Sequence, residues 1–504
     1  GFKLREDILV LLLFRSTTMT GKNKMIIAAV MAVMTVFGCR ESDYADHPDG
    51  IVMTPDYKDI VIPFNIAPLN FSLEGVKGKV EVTVSGPRRD YMFKARASRV
   101  VFPLREWHTM LGCEKGNKLR VTVTHGGTSI QEFFWDVSPD PIDKYLSYRL
   151  IEPAYEVWNL HSVEERDLEG YKVRILGDNN TTDHSCMNCH TSNKADSPAT
   201  FFHVRGKTGG TFYAKDGALR KLDTKTDSTA GAAVYGEIEK SGRFGIFTTA
   251  RIMPILHSGR LERLEVFDTS SDLFVVDFQD NTVSDNPSVR GDEFQETFPC
   301  FSPDGKTICF CRAKSLPQPE STKMMRYDLY SVPFDPETGV LSDSLTLVFE
   351  ASAHGKSVSF PKFSPDGKRV LFCVSDYGTF PIWHTETDLW MLDLQTSEVD
   401  TLAGVNGRYS DSYHSWSSNG RWIVWASKRD DRVYGRPYFA HVDENGSVSR
   451  PFVLPQRDPA YYLSQNKSFN IPEIYPMPET YSHSDISRKY FNTLPEKMTY
   501  KKMF

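Results

Sequence analysis

One short stretch decides the fold because the chain contains it twice, first as Phe298-Pro299-Cys300-Phe301-Ser302-Pro303-Asp304-Gly305-Lys306 and again as Phe360-Pro361-Lys362-Phe363-Ser364-Pro365-Asp366-Gly367-Lys368. A weaker copy is His414-Ser415-Trp416-Ser417-Ser418-Asn419-Gly420-Arg421, and a degenerate copy runs from Gly236 to Arg243. Asp-Gly and Asn-Gly supply the left-handed backbone that a tight turn between two strands requires. Self-similarity of this kind indicates a repeat architecture.

Each copy opens a unit that is made of strands. An apolar strand follows the turn, and a later strand mostly begins with Asp-Leu, as at Asp328 and Asp388. A unit of about 50–60 residues holds roughly four strands, which is the size of one propeller blade. Four units lie between about 230 and 456, and the segments around 200–225 and 457–504 could supply two more. We therefore predict an all-β chain with a six-bladed β-propeller over 200–504, and another repetitive β array is the alternative.

Composition and charge narrow the class of protein. The 504 residues are 40% hydrophobic, 12% aromatic and 25% charged, which excludes a disordered, collagenous or multi-span membrane protein. Lys and Arg number 59 and Asp and Glu 65, which gives a net charge of −6. Nucleic-acid binding needs concentrated positive charge, so we predict no nucleic-acid partner. Eight Cys are too few for a disulfide scaffold.

The N-terminal segment has the features of an export signal. A short basic segment precedes an apolar run from Met25 to Phe37, which is too short to span a bilayer. The run ends at Gly38-Cys39 and resembles the lipobox of bacterial lipoproteins. We expect residues 1–38 to be a mis-started leader plus signal peptide and 39–50 to be a tether. The resemblance implies a lipid on Cys39 that anchors the exported protein, in the periplasm or at the outer membrane; an ordinary secretory peptide is the alternative.

The region after the tether is predicted to be a small domain. Residues 51–138 show the period-two pattern of half-buried strands, most clearly from Lys79 to Val84 and from Arg120 to Thr124. Short strands separated by Gly and Pro turns predict a small β-sandwich. No cluster of catalytic residue types lies in it, so a spacer or docking role is expected. Residues 139–199 are predicted to be a linker.

The chemical signature of the chain lies in this linker and reads Cys186-Met187-Asn188-Cys189-His190. Cys-x-x-Cys-His attaches a c-type haem: the thiols add to the two porphyrin vinyl groups and the adjacent His ligates the iron. A zinc ribbon would need a second Cys pair, and a thioredoxin-like pair would start a helix in an α/β fold. A structural disulfide is a further alternative, but it would leave His190 without a role. We predict one covalent haem c as cofactor, held by a short insert beside the propeller.

The second axial ligand of this haem must come from elsewhere in the chain. Our candidate is His203, which follows the motif closely and is flanked by aromatic residues that could wall a porphyrin. A strand histidine whose ring is hydrogen-bonded is the alternative interpretation of His203. Arg205 is expected to pair with a haem propionate, because guanidinium matches carboxylate geometry. The other candidate ligands are His257, His161, His184 and Met253.

The order of these features resembles TolB-like propeller lipoproteins that bear a single Cys-x-x-Cys-His motif. The resemblance covers roughly residues 140–456 and is specific at the Ser-Pro-Asp-Gly-Lys turns and at Cys186 to His190. It implies a lipid-anchored propeller with one haem that acts in electron transfer or redox sensing. The propeller would be the docking platform for an unknown redox or envelope protein.

Two other functions stay open. The first is a non-redox binding or scaffold propeller of the cell envelope with a structural Cys pair, and the second is a haem-propeller oxidoreductase with its active site in the channel. The sequence has no Gly-rich phosphate loop, no Gly-x-Ser-x-Gly and no His-Glu-x-x-His. An electron carrier or binding protein is therefore favoured over a substrate-converting enzyme.

Two further features concern the blades. Residues 376–384 are aromatic and turn-rich, which makes them the best candidate for a recognition loop on one propeller face. The blade cysteines are predicted to be buried free thiols, although a disulfide stays open in an oxidising compartment. These cysteines are Cys300, Cys309, Cys311 and Cys373.

Overall fold

The computed structural model describes residues 50–152, 160–227, 229, 231–259, 264–316 and 322–502. The predicted leader, the lipidation site Cys39 and nearly all of the tether lie outside the described residues. The chain divides into two units, residues 1–52 and 53–504. Within the described part, no helix is both long and apolar enough to cross a bilayer.

The N-terminal domain is built around one five-stranded sheet. Its elements are β1 (Val52–Thr54), β2 (Ile60–Pro63), β3 (Ser72–Glu74), β4 (Lys79–Ser85), β5 (Asp90–Arg96), α1 (Leu104–Cys113), β6 (Lys118–His125) and β7 (Thr128–Ser138). The order in the sheet is β2-β7-β6-β4-β5, and β2 runs parallel to β7. Helix α1, which the strand pattern does not predict, buries Trp107 against Trp135 of the sheet, with ring centroids 5.3 Å apart.

In the described residues the propeller consists of six sheets, which we number as blades 1 to 6. Blade 1 contains β8 (Tyr145–Ile151), β9 (His161–Asp167) and β10 (Val173–Asp178), and blade 2 contains β11 (Met187–Ser192), β12 (Ala199–Val204), β13 (Gly210–Lys215) and β14 (Ala218–Asp223). Blade 3 contains β15 (Val234–Ile238), β16 (Phe244–Leu256), β17 (Leu264–Asp277) and β18 (Thr282–Ser284).

The later blades follow the same order along the chain. Blade 4 contains β19 (Phe294–Phe301), β20 (Thr307–Lys314), β21 (Asp328–Asp335), β22 (Val340–Leu341) and β23 (Thr346–Phe349). Blade 5 contains β24 (Ser357–Phe363), β25 (Arg369–Ser375), β26 (Asp388–Asp393) and β27 (Val399–Asp400). Blade 6 contains β28 (Asp411–Trp416), β29 (Trp422–Ser427), β30 (Arg436–His441) and β31 (Phe452–Val453).

The C-terminal segment closes the ring. It contains α2 (Tyr461–Ser464), β32 (Ser468–Tyr475), α3 (His483–Asn492), β33 (Glu496–Lys497) and β34 (Thr499–Tyr500). Strand β32 pairs antiparallel with β8 and becomes the innermost strand of blade 1. The innermost strands β32, β11, β15, β19, β24 and β28 each contact the next, and β28 contacts β32. This all-β architecture confirms the predicted propeller class and is consistent with six blades.

The predicted domain boundary at residue 200 is wrong. Residues 145–178 form three strands of blade 1, and the haem motif enters β11, the innermost strand of blade 2. The segment 139–199 is therefore propeller, and the motif does not lie on an insert beside it. Blade 1 could not be recognised from the sequence, because the strand that completes it comes from residues 468–475, far along the chain.

All six innermost strands share one irregularity. In each strand the pairing register shifts at a residue with a left-handed backbone, which re-aims the side chains there. These residues are Cys189 (φ 56°), Tyr235 (φ 42°), Phe298 (φ 51°), Phe360 (φ 51°), Tyr413 (φ 51°) and Ile471 (φ 51°). The Phe-Pro pairs of the sequence repeat and Cys189-His190 thus occupy the same place in their blades.

Candidate functional site

The haem motif lies at the propeller axis. Cys189 and His190 line a partly enclosed cavity between the innermost strands. The other lining residues at the level of the shared bulge are mostly aromatic, namely Tyr235, Phe298, Phe360 and Tyr413. Phe298 and Phe360 stack with ring centroids 4.0 Å apart, and Phe360 meets Tyr413 edge-on at 4.7 Å. The smaller side chains of Cys189 and Ile471 interrupt this aromatic ring on one side.

Below the aromatic ring, an ion pair crosses the axis. Lys362 Nζ of blade 5 lies 2.9 Å from Glu237 Oε1 of blade 3. Burial alone would lower the pKa of Lys362, but the carboxylates of Glu237 and Glu473 raise it above its usual range. Lys362 is therefore charged, as a buried Lys can be only when it is paired.

A second set of contacts ties the remaining strands together at the same level. Glu473 accepts hydrogen bonds from Thr191 Oγ1 and from the backbone N–H of Ser192, both at 3.1 Å. Lys194 Nζ donates to Ser415 Oγ at 2.8 Å. These side chains are hydrogen-bonded to one another across the strands. They occupy this end of the channel.

The two motif thiols are buried and not bonded to each other. Cys186 and Cys189 are free cysteines, and each residue is 6% exposed. Burial raises the pKa of Cys189, while a hydrogen bond from the Tyr235 backbone and the charge of Arg205 act in the opposite direction.

Neither ring nitrogen of His190 forms a hydrogen bond of normal geometry. The residue is 4% exposed, and both Nδ1 and Nε2 are buried. Burial lowers the pKa of His190 to about 3 and the charge of Arg149 adds to this effect, while an interaction with the Ile471 backbone acts in the opposite direction. Burying an imidazole whose nitrogens lack normal hydrogen bonds destabilises the folded protein. A buried polar group has lost its hydrogen bonds to water and normally replaces them with hydrogen bonds inside the protein.

The predicted second ligand, His203, lies next to the motif. It is on β12 directly opposite Asn188 of the β11 strand. Its Nδ1 is 3.3 Å from Thr211 Oγ1, and burial lowers the pKa of His203 to about 4. The structure thus brings His203 to the motif and also gives it a weak hydrogen-bond partner.

His161 is the second histidine beside the motif. Its Nε2 accepts a hydrogen bond from the Met187 backbone N–H at 3.0 Å, and its Nδ1 is buried without a partner. Burial lowers the pKa of His161 to about 4. Among the other candidates, His257 Nε2 shares a hydrogen bond with Glu265 on the long β16–β17 hairpin, and Met253 lies on the same hairpin.

Sequence reasoning found Arg205 and missed Arg149. Both guanidinium groups act electrostatically on Cys189. Arg149 is on β8, opposite Asn470 of β32, and its buried Nε has no hydrogen bond. No local signal pointed to Arg149, because its approach to the motif depends on the closure of the ring.

The residues at this site fit a covalently held haem. Two free thiols stand at the attachment spacing, and the ring nitrogens of the histidine after them form no hydrogen bond of normal geometry. Two arginines beside Cys189 match the two carboxylates that a porphyrin carries. Among the described residues, no group of His, Cys, Asp and Glu forms a separate metal site.

The predicted recognition loop at 376–384 is packed rather than free. Phe380, Pro381 and Ile382 are buried. Tyr377 stacks on Phe267 of the β16–β17 hairpin and donates a hydrogen bond from its hydroxyl to Glu265 of the same hairpin. The hairpin of blade 3 therefore reaches over to blade 5 and covers this loop.

Comparisons with known proteins show a likeness of shape. No protein-family model matches the chain, and no curated protein matches it significantly. TolB from Acinetobacter baumannii is similar at 13% identity and a TM-score of 0.41, over 72% of this chain and 80% of that chain. A putative TolB from Agrobacterium tumefaciens is similar at 14% identity and a TM-score of 0.37, over 67% and 100%. Kuenenia stuttgartiensis hydrazine synthase is similar at 11% identity and a TM-score of 0.44, over 68% and 48%. The propeller assignment itself rests on the strand topology described above.

Proposed function

We propose that this protein is a cell-envelope propeller that carries one c-type haem on Cys186 and Cys189, with His190 as the iron ligand. It would act in electron transfer or redox sensing, and the propeller would dock a protein partner. The observation that carries the proposal is the buried His190 ring, whose nitrogens form no hydrogen bond of normal geometry, directly after two free thiols. A bound haem supplies one-electron chemistry at its iron.

The surrounding residues have separate tasks in this proposal. The thiols of Cys186 and Cys189 hold the group covalently, so it cannot dissociate. Arg149 and Arg205 balance carboxylate charge beside Cys189. The aromatic side chains around the axis keep water away, and burial is one of the factors that set a haem potential.

We also propose a second axial ligand for the haem iron. We retain His203 because it faces the motif across the β11–β12 ladder. His161 competes with it, because its Nδ1 has no partner. Replacing each by alanine separates them: loss of the true ligand changes the reduced absorbance spectrum, and loss of the other leaves the spectrum unchanged.

Export and lipid anchoring are part of the same proposal. They rest on the apolar run before Cys39 and on the lipobox resemblance. Attachment of c-type haem takes place outside the cytoplasm, so an exported chain and a haem motif support each other. Labelling with a radioactive fatty acid, compared between the native chain and Cys39→Ala, tests the anchor.

A non-redox scaffold is the second candidate function, and one observation favours it. Cys189-His190 stands in frame with Phe298-Pro299 and Phe360-Pro361 of the other blades, so β11 has the shape of an ordinary blade strand without any haem. In that case the Cys-x-x-Cys-His spacing would have no chemical role.

The deciding experiment is covalent haem retention. The chain is produced with a c-type maturation system, denatured and separated by electrophoresis, and the gel is stained for haem. We expect staining in the native chain and in the control Cys113→Ser, whose thiol lies at the end of α1. Staining should be lost in the double variant Cys186→Ser/Cys189→Ser. An unstained native chain that is otherwise folded contradicts the haem proposal and leaves the scaffold.

A further inference from the structure

Blade 4 places two cysteines, both free thiols in this structure, directly opposite each other. Cys300 on β19 and Cys309 on β20 are paired residues of the antiparallel ladder, immediately after the shared bulge. Paired residues of such a ladder point to the same face, with Cα atoms about 4.5–5.5 Å apart. A disulfide joins residues whose Cα atoms are about 4.4–6.8 Å apart, so this pair is within its range.

The blade framework does not require cysteine at either place. The residues equivalent to Cys300 in the other described blades are polar or charged, and those equivalent to Cys309 are mostly apolar. The equivalent pairs are Thr191 with Phe201, Glu237 with Ile246, Lys362 with Leu371, Ser415 with Val424, and Glu473 with Ser147. In blade 4, Cys300 thus replaces the channel-facing polar residue of the other blades. Its ladder partner is also a cysteine, Cys309.

The other two blade thiols have different partners. Cys311 lies opposite Thr297 and Leu329 in the ladders. Cys373 contacts His414 Nδ1 at 3.6 Å. They therefore provide matched controls: both are buried in blade strands as Cys300 and Cys309 are, but neither faces a cysteine across its ladder.

We infer that Cys300 and Cys309 are joined by a disulfide in the exported protein, which links the innermost strand of blade 4 to its second strand. This inference rests on the export in the proposed function, and not on the haem. Each thiol loses its proton and the two sulfurs together lose two electrons. The electron acceptor is the disulfide of an envelope thiol oxidase, which accepts the two electrons and two protons and becomes a dithiol.

The bond should form before the blade closes. Burial raises the pKa of Cys300 well above its usual range, and the neighbouring Cys309 thiol adds to this effect. Thiol–disulfide exchange proceeds through the thiolate, so the folded protein offers little reactive sulfur. The same burial then protects the finished bond, which we expect to resist mild reductant until the protein is denatured.

Peptide mapping tests the inference. Trypsin cuts after Arg290, Lys306 and Arg312, so Cys300 falls in peptide 291–306 and Cys309 falls in peptide 307–312. The exported chain is denatured in an alkylating reagent without reductant and then digested. We expect the two peptides to be linked, with one alkyl group on Cys311 and a mass two hydrogen atoms below the sum of the two peptides so alkylated.

Two variants identify the sulfur that takes part, because peptide 307–312 also contains Cys311. The link should persist in Cys311→Ala and disappear in Cys309→Ala. Full alkylation of both peptides in an exported native chain would overturn the inference, and so would a link that depends on Cys311.

A failure of export has its own outcome. If cell fractionation finds the chain in the cytoplasm, the proposed location is wrong. The unfolded chain is then refolded with oxidised and reduced glutathione. Formation of the Cys300–Cys309 link during refolding supports the geometry, and its absence overturns the inference for the chain itself.

Discussion

His190 and His414 occupy the same position on two innermost strands, one residue after the left-handed bulge, yet their rings have opposite surroundings. His414 Nε2 lies 2.8 Å from the Leu371 carbonyl oxygen and its Nδ1 lies 3.6 Å from Cys373 Sγ. Both nitrogens of His190 are buried, and neither forms a hydrogen bond of normal geometry. The chain therefore contains its own example of a structural histidine at this position, and His190 differs from it in lacking such hydrogen bonds.

The aromatic ring at the axis should contribute strongly to stability. Phe298 is 4% exposed and packs against Phe360 and Tyr235, with ring centroids 4.0 and 5.1 Å away. Replacing a buried Phe by Ala costs about 3–5 kcal/mol, because packing is lost and a cavity remains. We expect Phe298→Ala to lower the urea midpoint accordingly. The control Met92→Ala, at a side chain that is 62% exposed, should change stability by less than about 0.5 kcal/mol. Equal midpoints for the two variants would contradict the packing account.

The stability that His414 provides should depend on pH. Burial lowers the pKa of His414 to about 3, whereas an unfolded His titrates near 6.5. Below pH 6.5 the unfolded chain takes up a proton that the folded chain does not, so folding stability falls as the pH falls. Between pH 6.5 and 4.5 this one group accounts for about 2.3 kcal/mol.

A variant that does not titrate isolates this effect. We expect His414→Gln to be less stable than the native chain at pH 7.5, and the deficit should shrink at pH 4.5. Glu479→Gln provides the opposite sign, because burial raises the pKa of Glu479 to about 8 and the folded carboxyl resists ionisation as the pH rises. Its stability relative to the native chain should improve from pH 4.5 to 7.5. Deficits that are the same at both pH values would refute the assignment.

One buried asparagine connects the N-terminal domain to the propeller. Asn70 is 1% exposed; its Nδ2 donates to Tyr171 Oη at 2.8 Å and to the Gln456 carbonyl at 3.1 Å, and its Oδ1 accepts from the Phe102 backbone N–H. Removing one partner leaves buried polar groups unsatisfied, at about 1–3 kcal/mol each. We expect Asn70→Ala to destabilise the protein by about 2–4 kcal/mol in urea unfolding.

The matched control is the exposed ion pair between the same two parts. Arg450 lies 2.7 Å from Asp56, but both side chains are more than 40% exposed. Such a pair contributes about 0–1 kcal/mol. Arg450→Ala should therefore be nearly neutral, and a loss as large as that of Asn70→Ala would show that charge rather than the buried network holds the domain.

The sequence predicts blades 3 to 6 well and blades 1 and 2 poorly, for a physical reason. Turns such as Asp366-Gly367 require a residue with a left-handed backbone, and Gly367 has φ 71°. Glycine adopts this conformation most readily, so the turns can be recognised from the sequence. Blade 1 is completed by β32 from the other end of the chain, and no local pattern records that pairing.

The candidate site was only partly predictable for the same reason. Residue spacing identifies Cys186, Cys189 and His190 as a possible attachment site, because that chemistry is local in sequence. Cys189 and Phe298 occupy equivalent bulge positions because their backbone conformations match. Their side chains differ, so the sequence does not reveal this equivalence. Arg149 approaches the motif only when the ring is closed, which residue spacing does not encode.

The most direct test of the central claim is the intact mass of the folded, exported protein made by a host that matures c-type cytochromes. The account predicts a mass equal to the processed polypeptide plus one haem, and loss of that increment in Cys186→Ser/Cys189→Ser. A folded native chain with the bare polypeptide mass, made in a host that loads a control cytochrome c in the same culture, would contradict the account.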